Sequence, residues 1–227
     1  ERGNVKAATC IDCHGGHGAR KPRQGAEIDE TCGRCHTEIS AVFRKSVHGE
    51  ALSSGNPDVP ACTNCHSSHA IPAPKGVGAR LDQPDTCGKC HADERRMSKY
   101  GVSANVLKTY LSDFHGTTVS LLRSGSAREQ PVVALCTDCH GVHDIVKTTA
   151  PNSHVLAGNL VRTCQKCHPD ANEGFPQAWM SHYEPSWRKA PLVYAMGLFY
   201  KVFIPFVICG LVLQIGLHLR KSWGHHR

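Results

Sequence analysis

Apolar and polar positions follow two different patterns in this chain of 227 residues. As far as Ala190 the apolar residues come in short runs, and two stretches show them at intervals of three and four. These stretches are Glu38 to Gly49 and Ser103 to His115. We predict a helix in each, with a histidine (His48, His115) in its last turn and a glycine just after it; Ser103 could cap the second.

A continuous apolar segment follows Pro191, and Lys201 is the one lysine, arginine, aspartate or glutamate between there and Leu219. As a helix, Val202 to Leu219 spans about 27 Å, close to the thickness of a bilayer core. The run before Lys201 extends this helix if the lysine side chain reaches the interface. Pro205 suggests a kink or a helix start nearby. A buried globular helix is the alternative to a membrane span.

Positive residues follow the apolar segment directly: Arg220, Lys221 and Arg227. Since positive loops stay in the cytoplasm, we predict a single-pass anchor over 189–221 and a cytoplasmic tail over 222–227. Within the anchor, Cys209 is expected to pack, and Gly210, Gln214 and Gly216 could face a partner helix. His218 is expected at the interface.

The rest of the chain is poor in the residues that build large cores. It has 6% aromatic residues, 21 glycines and 13 prolines. We therefore predict a mainly α fold with much irregular loop and little or no sheet, with something other than side chains filling the interior.

The sequence Cys-x-x-Cys-His occurs six times, and we number these motifs as sites 1 to 6 along the chain. This is the attachment signature of c-type haem: two thiols bind the vinyl groups, and the histidine binds the iron from below. A zinc site or a redox disulfide, the other uses of Cys-x-x-Cys, needs no histidine at that place. The residues are Cys10, Cys13 and His14; Cys32, Cys35 and His36; Cys62, Cys65 and His66; Cys87, Cys90 and His91; Cys136, Cys139 and His140; Cys164, Cys167 and His168.

The motifs form three copies of one unit, so we predict three di-haem repeats over 1–58, 59–130 and 131–188. In each copy a first-type motif continues as Cys-x-x-Cys-His-x-x-His, and a second-type motif is followed by one more histidine. Six further histidines result, which are His17, His48, His69, His115, His143 and His182. They predict bis-histidine ligation of six covalently bound haems. His17, His69 and His143 are expected to ligate neighbouring haems rather than their own.

Other side chains leave alternatives open. His154 is expected at the surface of a loop, but if it is a ligand, one repeat histidine is free. Met97, Met180 and Met196 could each replace a histidine, which would raise the potential of that haem, although packing is favoured for Met180.

Six haems change how the net charge of +7 is interpreted. Their propionates and oxidised irons bring it to about +1, so the basic residues do not indicate nucleic-acid binding. Haem attachment takes place outside the energy-transducing membrane, which predicts a haem domain on the periplasmic side. Residue 1 is Glu, so we expect that a signal peptide or an amino-terminal anchor has been removed. The chain should not fold without its cofactors.

These motifs, with the recurring His-Gly, resemble the multihaem cytochrome c superfamily of anaerobic respiration. A hexahaem domain with one membrane helix is similar to the cytochrome subunits of quinone oxidoreductase complexes, such as the menaquinone reductase complex and alternative complex III. The resemblance implies electron relay between an integral-membrane partner, of the quinone-binding or cytochrome b type, and a soluble or extracellular cytochrome. Two features depart from other multihaem proteins. Membrane-anchored quinol dehydrogenases of the nitrite-reductase-partner type carry an amino-terminal anchor, whereas the anchor here is carboxy-terminal, and the Cys-x-x-Cys-Lys motif of multihaem nitrite reductases does not occur in this sequence.

We therefore expect an electron-transfer subunit and not an enzyme. Two alternatives stay open: a reductase or oxidase of a small nitrogen or sulfur compound with one open haem, and a polymeric conduit of stacked units.

Overall fold

The computed structural model describes residues 7–19, 24–73, 76–125, 132–178, 182 and 184–224, with the side chains of 222–224 excepted. Met180 and Arg227 lie outside these residues. The chain divides into two compact units, Glu1–His182 and Tyr183–Arg227. The α-helices of the first unit are α1 (Cys10–His14), α2 (Ala26–Gly33), α3 (Thr37–Phe43), α4 (Val47–Ser53), α5 (Cys62–His66), α6 (Val77–Leu81), α7 (Gln83–His91), α8 (Glu94–Met97), α9 (Val106–Leu111), α10 (Phe114–Ser124), α11 (Cys136–His140) and α12 (Ala157–Gln165).

The first unit is helical and loop-rich, and the described residues contain no strand, which confirms the predicted mainly α class. Its apolar interior is small. One cluster joins Leu81, Tyr110, Val119, Val133 and Leu135, where α6, α9 and α10 meet the segment before α11. Tyr110 donates its hydroxyl hydrogen to the carbonyl of Ala134 at 2.9 Å. This cluster stabilises the packing of α6, α9 and α10, and the other helices of the unit depend on other contacts.

First-type motifs form isolated helices of five residues, namely α1, α5 and α11. In each, the residue before the second cysteine accepts a hydrogen bond from the backbone N–H that precedes the helix. Asp12 accepts from Thr9 at 2.7 Å, Asn64 from Ala61 at 2.8 Å and Asp138 from Leu135 at 2.8 Å. These helices are too short to be stable by themselves, and the cap satisfies one of their unpaired donors.

Second-type motifs lie instead at the carboxy-terminal end of a longer helix. α7 contains its whole motif, whereas α2 and α12 end within theirs. The turn nevertheless continues, because the N–H groups of His36 and His168 donate to the carbonyls of Cys32 and Cys164, both at 2.9 Å. The two motif types therefore present their histidines from different local structures.

The predicted helix ends at His48 and His115 are wrong. α3 and α9 stop at Phe43 and Leu111, and each histidine lies in the first turn of the next helix, α4 or α10. Ser46 and Asp113 cap these helices, since their side-chain oxygens accept from the N–H of Gly49 and Gly116 at 3.1 and 3.0 Å. α9 begins after Asn105 rather than Ser103. A cap inside each apolar pattern thus divides one predicted helix into two.

The glycine after each of these histidines makes the close approach of the two helices possible. A Cβ on Gly49 would lie 2.0 Å from the carbonyl oxygen of Phe43, and one on Gly116 would lie 2.0 Å from that of Tyr110. Real Cβ atoms do not approach oxygen so closely, so both positions require glycine. The His-Gly pair therefore places the histidine at a sharp helix–helix corner.

Ser67 adopts a backbone conformation that costs free energy. It follows α5 with φ 64° and ψ −177°, where the equivalent positions after α1 and α11 are Gly15 and Gly141. Non-glycine residues in this region are strained by about 1–3 kcal/mol. We expect Ser67→Gly to stabilise the folded protein by about 1 kcal/mol and to raise its Tm by roughly 2–4 °C. Thermal unfolding would measure this, with Ser68→Gly as the neighbouring control; an equal response of both variants would contradict the prediction.

Polar contacts join residues of different copies. Arg80 forms a salt bridge with Asp138 at 3.0 Å, and Lys99 forms one with Asp58 at 2.8 Å. The N–H of Val47, at the start of α4, donates to the carbonyl of Ile145 at 2.9 Å. The three copies therefore contact one another and do not follow one another as separate units.

The second unit consists mainly of one helix, α13 (Pro191–Gly224). It is a candidate membrane span over Pro191–Lys221, with mean hydropathy 2.2 and no buried residue in its most apolar window. The helix starts well before Pro205 and continues through it, so that proline does not mark a start. Trp187 and Tyr194 contact each other near its amino-terminal end, with ring centres 5.2 Å apart.

Candidate haem sites

Among the described residues of the first unit, five pairs of histidine rings face each other, and each joins a motif histidine to one of the further histidines. The ring centres are 5.9–6.4 Å apart in all five pairs. These are His14 with His69 (5.9 Å), His66 with His143 (5.9 Å), His91 with His48 (6.2 Å), His140 with His182 (6.2 Å) and His168 with His115 (6.4 Å).

This separation fits one iron ion between two imidazoles. With a metal–nitrogen distance of about 2 Å on each side, the two ring centres come to about 6 Å apart. Direct stacking of the rings would bring them closer. The paired rings, with two cysteines beside one member of each pair, therefore match the donor set of a bis-histidine c-type haem.

Burial keeps several of these imidazoles in the neutral form that a metal requires. It lowers the pKa of His48 to about 4, and it also lowers the pKa values of His91, His140, His143 and His182. A neutral imidazole has a free nitrogen lone pair at neutral pH, and iron binding needs no proton to leave.

The pairing follows a rule that joins histidines of different copies. A first-type motif faces the x-x-His histidine of the next copy, as His14 faces His69 and His66 faces His143. A second-type motif faces the His-Gly histidine of the preceding copy, as His91 faces His48; His168 and His115 follow the same rule. The third first-type motif differs, since His140 faces His182 of its own copy.

Two of the twelve predicted ligands are not brought to a partner. Among the described residues, the rings of His17 and His36 contact no other histidine ring, and both side chains are exposed. His154 is exposed as well, and its carbonyl accepts from the hydroxyl of Thr163 at 2.7 Å. Phe175, which the sequence analysis did not single out, packs on the ring of His168 with centres 5.0 Å apart.

Consecutive motifs are also neighbours in space. The thiols of Cys32 and Cys62 lie close enough that each affects the pKa of the other, and the same holds for the thiols of Cys87 and Cys136. These contacts join site 2 to site 3 and site 4 to site 5. Proximity of the remaining neighbours shows in the same way: Cys13 raises the pKa of Cys32, Cys87 and Cys90 raise that of Cys65, and Cys164 and Cys167 raise that of Cys139. Sites 1 to 6 therefore form one continuous series in chain order.

None of the thirteen cysteines, all of which lie in the described part of the chain, forms a disulfide. The described residues contain no group of three or more His, Cys, Asp or Glu side chains that could hold a metal ion among themselves.

A buried carboxylate lies between sites 2 and 3. Asp29 is 5% exposed and interacts electrostatically with Cys32 and Cys62. Ser40 donates its hydroxyl hydrogen to one carboxylate oxygen at 2.8 Å, and the guanidinium of Arg44 binds the other. These bonds fix a negative charge close to two attachment sites.

We expect Asp29→Asn to raise the reduction potentials at sites 2 and 3, because a nearby negative charge stabilises the oxidised form. A unit charge at roughly 10 Å with an effective dielectric constant of about 20 contributes about 1.7 kcal/mol, or tens of millivolts. Potentiometric titration would measure the shift. Glu30→Gln is the matched control, since Glu30 is the next residue on α2 but is exposed and screened by water. Equal shifts in both variants would contradict the prediction.

Residues 4–92 match the family model of cytochrome c3. The matched part contains sites 1 to 4. Comparison with curated proteins and with solved structures gave no match. The family match supports a multihaem c-type cytochrome with covalently bound haem, whose general role is electron transfer.

Proposed function

We propose that this protein is a hexahaem electron-transfer subunit in which sites 1 to 6 form a linear series. The observation that carries the proposal is the combination of five histidine pairs at iron-spanning distance with motif cysteines that meet in chain order. Haem supplies one-electron redox chemistry at each site. The chain supplies the order of the sites, the axial ligands and the charges around them.

Exchange of ligands between copies suits this role. With haem bound, His69, His143, His48 and His115 would each join one copy to another through the iron, so these sites could not move apart without losing a ligand. A series held in this way keeps its spacing fixed during turnover. Where both axial positions are histidines, no position is vacant for a substrate, which favours relay over catalysis at these sites.

We further propose that α13 anchors the protein in the cell membrane, with the haem domain on the periplasmic side and the carboxy-terminus in the cytoplasm. Arg220 and Lys221 at the end of the apolar helix support this orientation. One helix cannot enclose a redox centre, so the electron partners we propose are an integral-membrane subunit, quinone-binding or of the cytochrome b type, and a soluble or extracellular cytochrome.

The relay can be tested with the full chain in detergent. Pyridine haemochrome analysis should give six haems per chain. In stopped flow, a soluble cytochrome used as oxidant should reoxidise the reduced protein in one kinetic phase. The size of that cytochrome lets it approach only a few sites, so the other haems must pass their electrons along the series. Removal of site 4 with Cys87→Ala/Cys90→Ala should divide the series and produce two phases. Multiple phases in the wild type that this variant leaves unchanged would refute a continuous series.

A further inference from the structure

The charged side chains beside site 4 differ from those beside sites 2 and 3. The guanidinium of Arg96 donates a hydrogen bond to the sulfur of Cys90 at 2.8 Å, whereas the carboxylate of Asp29 lies between sites 2 and 3. We infer that these two residues make the electron step from site 3 to site 4 energetically favourable, so that site 4 is reduced before sites 2 and 3. The inference rests on the proposed function, because it requires haem at these sites.

Arg96 is held beside site 4 by the short helix that follows the motif. α8 begins three residues after His91, and Asp93 caps it by accepting from the backbone N–H of Arg96 at 3.2 Å. The side chain of Arg96 is half-buried and contacts Cys90, the second attachment cysteine of site 4. The carboxylate of Asp93 therefore binds backbone, and the charge in contact with the motif is the positive one.

Asp29 marks a difference between two equivalent junctions. Sites 2 and 3 meet through cysteines of their motifs, and sites 4 and 5 meet in the same way. Three residues before the first cysteine of the second-type motif, copy 1 has Asp29 and copy 2 has Pro84, and both are buried. A buried carboxylate thus lies at the junction of sites 2 and 3, where the junction of sites 4 and 5 has an uncharged ring.

The place of Arg96 holds no cation in the other two copies. Five residues after the motif histidine, copy 1 has Ala41 and copy 3 has Glu173. A different cation, just before the second cysteine, is common to all second-type motifs and so does not distinguish site 4 from site 2. These shared cations are Arg34, Lys89 and Lys166.

Opposite charges nearby weaken the effects of Asp29 and Arg96 but do not cancel them. Arg44 binds Asp29, yet its side chain is 51% exposed, so water screens its charge far more than that of the buried carboxylate. Asp58 lies close enough to Arg96 for its pKa to be lowered by that guanidinium. Its principal partner is Lys99, at 2.8 Å, and this pair is close to neutral as a whole.

The size of the effect follows from the two charges. One electron leaves the reduced iron of site 3 and reduces the oxidised iron of site 4, and no proton or other reactant takes part. A unit charge at roughly 10 Å, with an effective dielectric constant of about 20, changes the electron affinity of a site about tenfold. One charge of each sign therefore favours site 4 over site 3 by up to about a hundredfold, or about 118 mV at 59 mV per factor of ten.

The test is a potentiometric titration of the holoprotein in detergent, followed by haem absorbance, with the haem content measured in parallel. Arg96→Gln should weaken the electron affinity of one site about tenfold, whereas Arg96→Lys, which keeps the charge, should retain most of the wild-type value. Arg95→Gln is the matched control, since Arg95 precedes Arg96 on α8 but is exposed. The potentials that Asp29→Asn raises should lie, in the wild type, below the one that Arg96→Gln lowers.

Localisation to site 4 comes from EPR in the His48→Ala background, in which a high-spin iron marks that site. Arg96→Gln should lower the titration midpoint of the high-spin signal there, and an unmoved midpoint would overturn the inference. Equal shifts for Arg96→Gln and Arg95→Gln would also overturn it, as would a potential controlled by Arg96 that lies below those controlled by Asp29. Fewer than six haems in the wild type would instead refute the proposed haem content.

Discussion

Replacement of His48 by alanine is expected to convert one low-spin iron to high-spin and to slow electron flow through the whole series. The His48 ring faces His91 with centres 6.2 Å apart, and burial keeps it neutral, so it is the proposed second ligand of site 4. Loss of an axial histidine should raise the potential there by on the order of 100 mV, within the range of about 0.8 V that axial ligands control.

Site 4 lies inside the series, so its potential affects every electron that crosses it. A site raised by about 100 mV holds an electron about fiftyfold more strongly than before, since 59 mV corresponds to a factor of ten for a one-electron couple. EPR spin counting and stopped-flow oxidation would measure the two effects. His154→Ala is the control, because that side chain is exposed and faces no other histidine ring in the described part of the chain. An unaltered spin count in His48→Ala would contradict the assignment.

Replacement of Gly116 by alanine is expected to disrupt the corner between α9 and α10 and to release the ligand at site 6. The added Cβ would lie 2.0 Å from the carbonyl oxygen of Tyr110, and that atom belongs to backbone that cannot move alone. Overpacking costs about 1–3 kcal/mol, and we expect the upper end of this range here because the clash is with backbone. His115 precedes Gly116 and faces His168, so the strain acts directly on one histidine pair.

Guanidinium unfolding, followed by the haem absorbance, would measure the loss of stability, and EPR would count the low-spin irons. Gly158→Ala in α12 is the matched control, since no atom lies within 4 Å of the position its Cβ would take. That variant should be neutral or stabilising by up to about 1 kcal/mol, because alanine favours helix more than glycine does. Equal losses in the free energy of unfolding for the two variants would contradict the role of the close approach at Gly116.

The sequence by itself determined the chemistry of this protein. The spacing of cysteines and histidines is local and covalent in its consequences, so the motifs at Cys10, Cys32 and their repeats identify the attachment sites without any fold. The apolar segment after Pro191 is similarly local, because length and composition alone decide whether a helix can span a bilayer. The absence of strands among the described residues follows from the same short-range patterns.

Only the tertiary structure decided which histidine faces which. His17, His69 and His143 occupy the same place in their copies, yet among the described residues two of them face a motif histidine and one does not. The pairing depends on which segment packs alongside, and the sequence pattern does not contain that information. The sequence pattern also did not show that the helix ends before His48 and before His115. Ser46 and Asp113 are ordinary polar residues in an apolar pattern. They act as caps because their side chains accept from the N–H of Gly49 and Gly116, and the lack of a Cβ at those glycines leaves room for the corner. Periodicity records which residues are apolar, whereas ligand exchange and helix corners depend on distances between segments far apart in the chain.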